Sequence, residues 1–139
     1  MWADSAWGVL QDRIDREKTL SVKLKENLTA LPTDPALNIP SGSNVTIDLN
    51  GCRIDRALTE KKEDGYVINV DGALTILDSS AAQTGLITGG WNSGFGGGIH
   101  ISARKGSLTL KSGTIANNKA LWGGGVGIFL GIFHLAPSL

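Results

Sequence analysis

Two glycine-rich stretches of the chain, 89–97 and 117–124, combine aromatic rings with side-chain amides. A sugar presents an apolar face that stacks on an exposed ring, and its hydroxyl groups bond to amides. The two stretches therefore predict a carbohydrate-binding site. The alternative is that the rings fold back over the protein and the amides satisfy backbone groups at turns. The candidate ligand-binding residues are Trp91, Asn92, Phe95, Asn117, Asn118 and Trp122.

Residues suited to catalysis are fewer. Asp48 and Asp55 have no acidic counterparts at equivalent positions of the repeat described below, although two-carboxylate hydrolysis requires a pair. His100 stands between Ile99 and Ile101 and is expected to point outward, without an acid beside it. No phosphate-binding loop, nucleophile elbow or zinc-ligand spacing occurs. We therefore predict no catalytic residue, no metal and no cofactor. The alternative is a polysaccharide lyase or a glycoside hydrolase fragment.

The charge balance argues against two classes of partner. The chain of 139 residues carries 13 basic and 13 acidic residues, so its formal net charge is zero. A protein that binds nucleic acid or an anionic membrane usually has a basic surface, so neither partner is expected. The length suits a single domain over 1–139.

The elements that would position these side chains form an internal repeat of short strands. Alternating apolar segments begin at Val45, Leu74 and Leu108, each between an earlier strand and a later one. A single turn of such a repeat cannot bury its own apolar side chains, so the turns must stack into a solenoid. The earlier strands are expected at 37–39, 66–68, 99–101 and 126–128, and the later strands carry Ile54, Ile87 and Ile115.

The long insertions all follow the third strand of a turn, which places them at one corner of the solenoid. They span 56–64, 89–97 and 117–124, and insertions on one side of a solenoid often mark its binding face. Alternation along the middle strands directs Thr46, Thr75 and Thr109 outward. Such a threonine file also suggests ice binding, but Asp48 and Lys111 interrupt the same face.

Two segments carry a family resemblance. The run 113–120, which contains Asn117-Asn118-Lys119-Ala120, is followed by Gly123-Gly124-Gly125-Val126, and this order resembles repeats of bacterial surface and adhesin-like proteins. The segment 45–51 is similar to the first full coil of those proteins. The resemblance covers about residues 20–128 and implies a right-handed parallel β-helix of the pectate-lyase-like superfamily.

That resemblance sets the expected fold class and function. We expect an all-β, right-handed parallel β-helix of three to four turns with an N-terminal amphipathic capping helix. Family members are usually extracellular, so an extracellular or cell-surface location is expected, although 1–4 lack the basic and apolar regions of a signal peptide. The expected function is a non-catalytic module for structure or recognition, with carbohydrate as its ligand. A fragment without independent function is a further alternative.

The two ends of the repeat differ in sequence. Trp7, Leu10 and Ile14 form one apolar stripe in a helix predicted over 4–17, which would cover the first turn. The solenoid is predicted over 20–128, and 129–139 reads as an apolar tail. We predict self-association as a homodimer through this end, and the alternative is that the tail caps the last turn. The residues expected to associate are Val126, Ile128, Phe129, Leu130, Ile132, Phe133 and Leu135.

Overall fold

The computed structural model describes residues 5–136, which form one helix followed by thirteen short strands. Helix α1 spans Ala6–Glu17. The strands are β1 Thr19–Lys23, β2 Leu28–Thr29, β3 Leu37–Ile39, β4 Asn44–Asp48, β5 Arg53–Asp55, β6 Ile68–Val70, β7 Ala73–Leu77, β8 Leu86–Thr88, β9 Ile99–Ile101, β10 Ser107–Leu110, β11 Thr114–Ile115, β12 Val126–Ile128 and β13 Ile132–Leu135.

The strands form three sheets that wind into a parallel β-solenoid of about 4 turns. Sheet A has the order β1-β4-β7-β10-β13, sheet B has β2-β5-β8-β11, and sheet C has β3-β6-β9-β12. Each turn contributes one strand to each sheet, so neighbours in a sheet come from successive turns. The predicted all-β solenoid with an N-terminal helix is confirmed.

Register within sheet A follows the alternation of apolar and polar residues. Thr46, Thr75 and Thr109 occupy matching positions on the outer face, as predicted. The residues on either side of each threonine point inward and stack on their counterparts in the next turn, which keeps the core continuous. The two inward columns are Val45, Leu74, Leu108 and Phe133, and Ile47, Ile76, Leu110 and Leu135.

Helix α1 closes the first end of the solenoid. The hydroxyl of Ser5 caps the helix by accepting a hydrogen bond from a backbone N–H of its first turn. Trp7, Leu10 and Ile14 are buried, and the indole of Trp7 donates to the carbonyl of Pro35 at 2.7 Å. The helix contacts β1, β2 and β3, the first strand of each sheet. Of the predicted helix, residue 4 lies outside the described residues.

One strand of sheet C differs from the prediction. The strand expected at 66–68 is instead Ile68–Val70, because Ile68 stacks between Leu37 and Ile99. Val67 is also fully buried just before the strand, so the apolar pattern alone did not fix the register.

The end of the chain also differs from the prediction. The solenoid was expected to stop at 128, but β13 continues sheet A by pairing in parallel with β10. Gly131, with a φ of 101°, makes the turn that leads into this strand. Phe133 and Leu135 point inward and Ile132 points outward, so the apolar Ile132 hides the alternation in the sequence. The described part of the predicted tail is therefore a strand of the last turn; residues 137–139 lie outside it.

Candidate binding surface

A ladder of polar side chains runs along the outer face of sheet C. Asn38, Asn69 and His100 occupy the central, outward positions of three successive strands. The Nδ2 of Asn69 donates to Oδ1 of Asn38 at 2.8 Å, and Oδ1 of Asn69 lies 2.8 Å from Nδ1 of His100. This arrangement makes Nδ1 the protonated nitrogen of a neutral His100, so Nε2 remains a hydrogen-bond acceptor.

Aromatic rings flank the imidazole of His100. The Tyr66 ring stacks on it with 4.5 Å between centroids and 15° between planes. The Phe95 ring lies at 4.3 Å, tilted by 33°, and Phe129 lies 6.5 Å from Phe95. We call this set the aromatic row, defined as Tyr66, His100, Phe95 and Phe129.

The corner insertions place the members of the aromatic row. As predicted, the three insertions stack on one another, through parallel bridges that join Lys62 to Asn92, Trp91 to Lys119, and Phe95 to Trp122. Phe95 therefore comes from the second insertion, and Tyr66 directly follows the first. Two chain segments remote in sequence are brought to opposite sides of His100 by this stacking.

Arg56 fixes the position of Tyr66. The Arg56 side chain is buried, and its Nη1 donates to the backbone carbonyls of Asp64 and Tyr66. These bonds join the two ends of the first insertion, so the loop between them is held as a closed unit. Arg56 forms no ion pair with any described residue, and burying an unpaired guanidinium costs free energy. This cost is consistent with a role for Arg56 in positioning the insertion.

A shallow depression lies beside the ladder and the Tyr66 ring. Its volume is about 190 Å³, and it is open to solvent. One wall is formed by amides and an aromatic ring, and Asp64 supplies a carboxylate at its edge. The lining residues are Pro35, Ala36, Leu37, Asn38, Asp64, Tyr66 and Asn69.

The two titratable rings of the row are neutral near pH 7. Burial, together with the nearby carboxylate of Asp64, raises the pKa of Tyr66 to about 12. Burial lowers the pKa of His100 below its ordinary value, although the carboxylates of Asp64 and Asp71 oppose that shift. The two rings thus add hydrogen-bonding atoms but no charge to this surface, whose acidic lining residue is Asp64.

The amide of Asn92, a predicted ligand-binding residue, is engaged in the fold. Asn92 is buried, and its Oδ1 accepts from the backbone N–H of Gly65. Its Nδ2 donates to the carbonyls of Phe95 and Gly96 at 2.8 and 3.1 Å. These bonds tie the first and second insertions together, so the amide shapes the corner and has little capacity left for a ligand.

Asn118 and Asn117 behave in a similar way. The Oδ1 of Asn118 accepts from the N–H of Gly90, and its Nδ2 donates to the carbonyls of Ile87 and Ala116. Asn117 adopts a positive φ of 59°, a conformation that asparagine tolerates in turns. Its side chain is exposed, whereas its backbone carbonyl accepts from the preceding turn.

The three predicted aromatic residues have different surroundings. Trp91 is half-buried, and the Lys119 ammonium lies 4.1 Å from its ring centroid in a cation–π contact. Phe95 belongs to the aromatic row. Trp122 forms a parallel bridge with Phe95 of the previous turn, and its side chain is 68% exposed. Phe95 and Trp122 are thus adjacent, and Trp91 contacts Lys119 instead.

The residue patterns used for prediction do not single out Tyr66, Asn38 or Asn69 as binding residues. Each amide occupies the center of a three-residue strand between apolar residues, the same position as His100 in its own strand. That shared position was the available signal. The predicted strand at 66–68 begins two residues before the observed strand Ile68–Val70, so the central position of Asn69 was not recognised.

The carboxylates considered for catalysis accept hydrogen bonds from backbone N–H groups at the corners of the solenoid. Asp48 accepts from the backbone of Asn50 and Ser79, and Asp55 accepts from Ala57. In the next turn, Asp48 pairs with Leu77 and Asp55 with Thr88, so neither has an acid stacked on it.

Asp78 is buried at a corner and clamps two turns together. Its carboxylate accepts from the backbone N–H groups of Gly51, Ser80 and Gly85 and from the Ser80 hydroxyl. Burial opposes its ionisation, but these hydrogen bonds outweigh burial and lower the pKa of Asp78 below its usual range.

Three further findings bear on the class of protein. Within residues 5–136, no cluster of three or more His, Cys, Asp or Glu side chains is arranged to hold a metal ion. In the same part of the chain, no helix has the length and apolar character needed to cross a membrane. The chain matches no protein family, no curated protein and no solved structure.

Proposed function

We propose that this chain is a secreted or cell-surface recognition module that binds carbohydrate along sheet C without cleaving it. The observation that carries the proposal is the aromatic row beside the Asn38–Asn69–His100 ladder. Rings and amides meet there on one face, which is the combination a sugar needs.

The chemistry of the face favours a neutral saccharide. Tyr66 and His100 carry no charge near pH 7, and the Nε2 of His100 accepts a hydrogen bond from a hydroxyl group. The exposed ring of Trp122, one turn beyond Phe95, extends the face along the solenoid axis. Several sugar units in a row can therefore contact successive turns.

Two observations favour binding over cleavage. Asp48 and Asp55 lie on strands of sheets A and B, whereas the aromatic row surrounds His100 on the outer face of sheet C. The Asp78 carboxylate is filled with backbone hydrogen bonds, which leaves it poorly suited to proton transfer. A glycoside hydrolase of the usual kind needs a pair of acidic groups beside the bound sugar, whereas Asp64 is the single acidic residue among those that line the depression.

The finer family assignment is part of the same proposal. A right-handed parallel β-helix of the pectate-lyase-like, adhesin-like kind is supported by the motifs at 113–126 and by the stacked corner insertions. The extracellular or cell-surface location is proposed from the same resemblance.

A glycan array followed by calorimetric titration of the best ligand tests the function. We expect Phe95→Ala and Trp122→Ala each to weaken binding about ten-fold, because each removes a stacking surface. Trp91→Ala is the matched control and should bind nearly as wild type, since Lys119 already covers that ring.

Two outcomes would contradict the proposal. Absence of binding to every glycan would remove the carbohydrate module. Release of shortened products from a bound polysaccharide would favour the enzyme alternative, above all if Asp48→Asn or Asp55→Asn abolished it.

A further inference from the structure

The core of the solenoid is open at its C-terminal end. The inward columns of the three sheets finish in Ile115, Val126, Ile128, Phe133 and Leu135, and no described segment lies over them. Ile128 is 43% exposed, although Ile101, its counterpart in the previous turn of sheet C, is fully buried. Leu135, on β13 of sheet A, is 64% exposed. These side chains occupy core positions without a turn above them.

Apolar exposure in the described chain concentrates at this end. Only Val9 and Leu31 are large exposed apolar residues elsewhere in residues 5–136. A contiguous apolar patch of this kind usually marks a contact site. The members near the open end are Leu121, Trp122, Ile128, Phe129, Leu130, Ile132 and Leu135.

The last turn also presents unpaired backbone. β11, β12 and β13 are the terminal strands of sheets B, C and A, and each has a neighbour on one side only. Open strand edges accept another strand readily. The open end thus combines apolar side chains with backbone donors and acceptors, and both are satisfied by a further layer of strands.

The opposite end sets the type of assembly. Helix α1 covers β1, β2 and β3, so the first turn has no free end to receive a last turn. Head-to-tail stacking into a filament is therefore blocked. The remaining arrangement brings two open ends together, which gives a closed two-fold dimer.

We propose that the open end is the interface for a second copy of this chain. A two-fold axis through β12, the middle strand of the last turn, lays β12 antiparallel to its own copy and β11 antiparallel to β13 of the partner. Both copies wind with the same hand, so the rise of one spiral offsets the rise of the other. The distance between the last turns of the two copies is then the same at every strand. Each of β11, β12 and β13 can therefore pair with a strand of the partner.

Charge does not oppose this contact. From 120 to 136 the chain has no Asp, Glu, Lys or Arg. The charged residue that directly precedes this segment, Lys119, directs its ammonium onto Trp91 of the same chain. Two such ends meet without repulsion between like charges.

Sedimentation equilibrium of the full chain at micromolar concentrations tests the proposal. We expect a monomer–dimer equilibrium with no larger species. Ile128→Asp and Leu135→Asp should each weaken dimerisation by about ten-fold or more, because each buries an unpaired charge at the interface. Ile132→Lys, on the outer face of the terminal strand β13, is a third interface variant and should have little effect on the core. Leu31→Asp, at an exposed apolar site outside the last turn, is the matched control.

Circular dichroism melts show whether each variant is folded, and hydrogen exchange locates the contact. Amides of β12 and β13 should be protected in the dimer and exchange faster in the Ile132→Lys variant. A wild-type monomer throughout the concentration range would overturn the proposal. A dimer that none of the three interface variants weakens, or an open series of larger oligomers, would overturn it equally.

Discussion

The Tyr66 ring lies flat against the imidazole of His100, with centroids 4.5 Å apart and planes 15° apart. Tyr66 lies just after the first corner insertion, whereas His100 is the outward residue of β9 in the following turn. The contact therefore joins an insertion to the outer face of sheet C. It places an aromatic ring beside the three neutral polar residues Asn38, Asn69 and His100, which together form one side of the candidate binding surface.

A charge in the inward column should unfold the solenoid. Ile47 is fully buried between Val22 and Ile76, so Ile47→Asp should lower the free energy of unfolding by more than about 3 kcal/mol. Thr75→Ala, on the outer face of the same sheet, is the control and should cost less than about 0.5 kcal/mol. Urea unfolding measures both, and equal losses would contradict the inward and outward assignment.

The clamp formed by Asp78 gives a second stability test. Asp78→Asn replaces one acceptor oxygen by an NH₂ group that faces backbone N–H donors, and we expect a loss of about 2 kcal/mol. Asp55→Asn, which affects one bond to the exposed Ala57 N–H and a 3.9 Å ion pair with the exposed Arg53, should cost under about 1 kcal/mol. Thermal unfolding compares the pair, and an unchanged Asp78→Asn melting temperature would argue against the clamp.

Arg56 should control the order of the first insertion. Arg56→Met removes both hydrogen bonds to the carbonyls of Asp64 and Tyr66, so the loop should open more often. Trypsin would then cut faster after Lys61 and Lys62, which are exposed. Arg53→Met, an exposed neighbour, is the control. Equal cleavage rates in the two variants would show that other contacts hold the loop.

The buried imidazole of His100 predicts a pH dependence of stability. Its pKa in the folded state is lowered below 6.5 by burial, so the unfolded chain takes up the proton first as pH falls. The free energy of unfolding should therefore decrease as pH falls through about 6.5, until His100 is protonated in the folded protein as well. His100→Phe keeps a stacking ring and should lose this contribution.

Denaturant titrations of wild type and His100→Phe between about pH 8 and pH 5 measure the difference. Because Asp64 and Asp71 are present in both proteins, subtraction isolates the contribution of His100. Identical pH profiles would mean that the imidazole is as readily protonated in the folded state as in the unfolded chain.

The sequence predicted those strands in which inward and outward residues differ in polarity. β4 and β7 alternate Val45-Thr46-Ile47 and Leu74-Thr75-Ile76, so their register is readable without a structure. The strand β13 was not predicted because Ile132, one of its two outward residues, is as apolar as the inward residues Phe133 and Leu135. The sequence of a strand shows which residues point inward only where the outward residues are polar and the inward residues are apolar.

The binding surface was harder to predict, because it depends on contacts between turns. Phe95 and Trp122 were selected by residue type and prove to be bridged neighbours. Asn92 was selected by the same criterion, although its amide bonds to Gly65 and Phe95 in the corner. Residue type identifies an amide, but only the path of the backbone decides whether that amide faces a ligand or a turn.

The most direct test of the account is nuclear magnetic resonance mapping of a glycan ligand on the labelled protein. The account predicts that shift changes cluster on sheet C and its adjoining rings, at Tyr66, Asn69, Phe95, His100 and Trp122. It also predicts that the ligand remains intact during the titration. Shift changes centred on Asp48 or Asp55, or no change with any glycan, would contradict a carbohydrate-recognition face on sheet C.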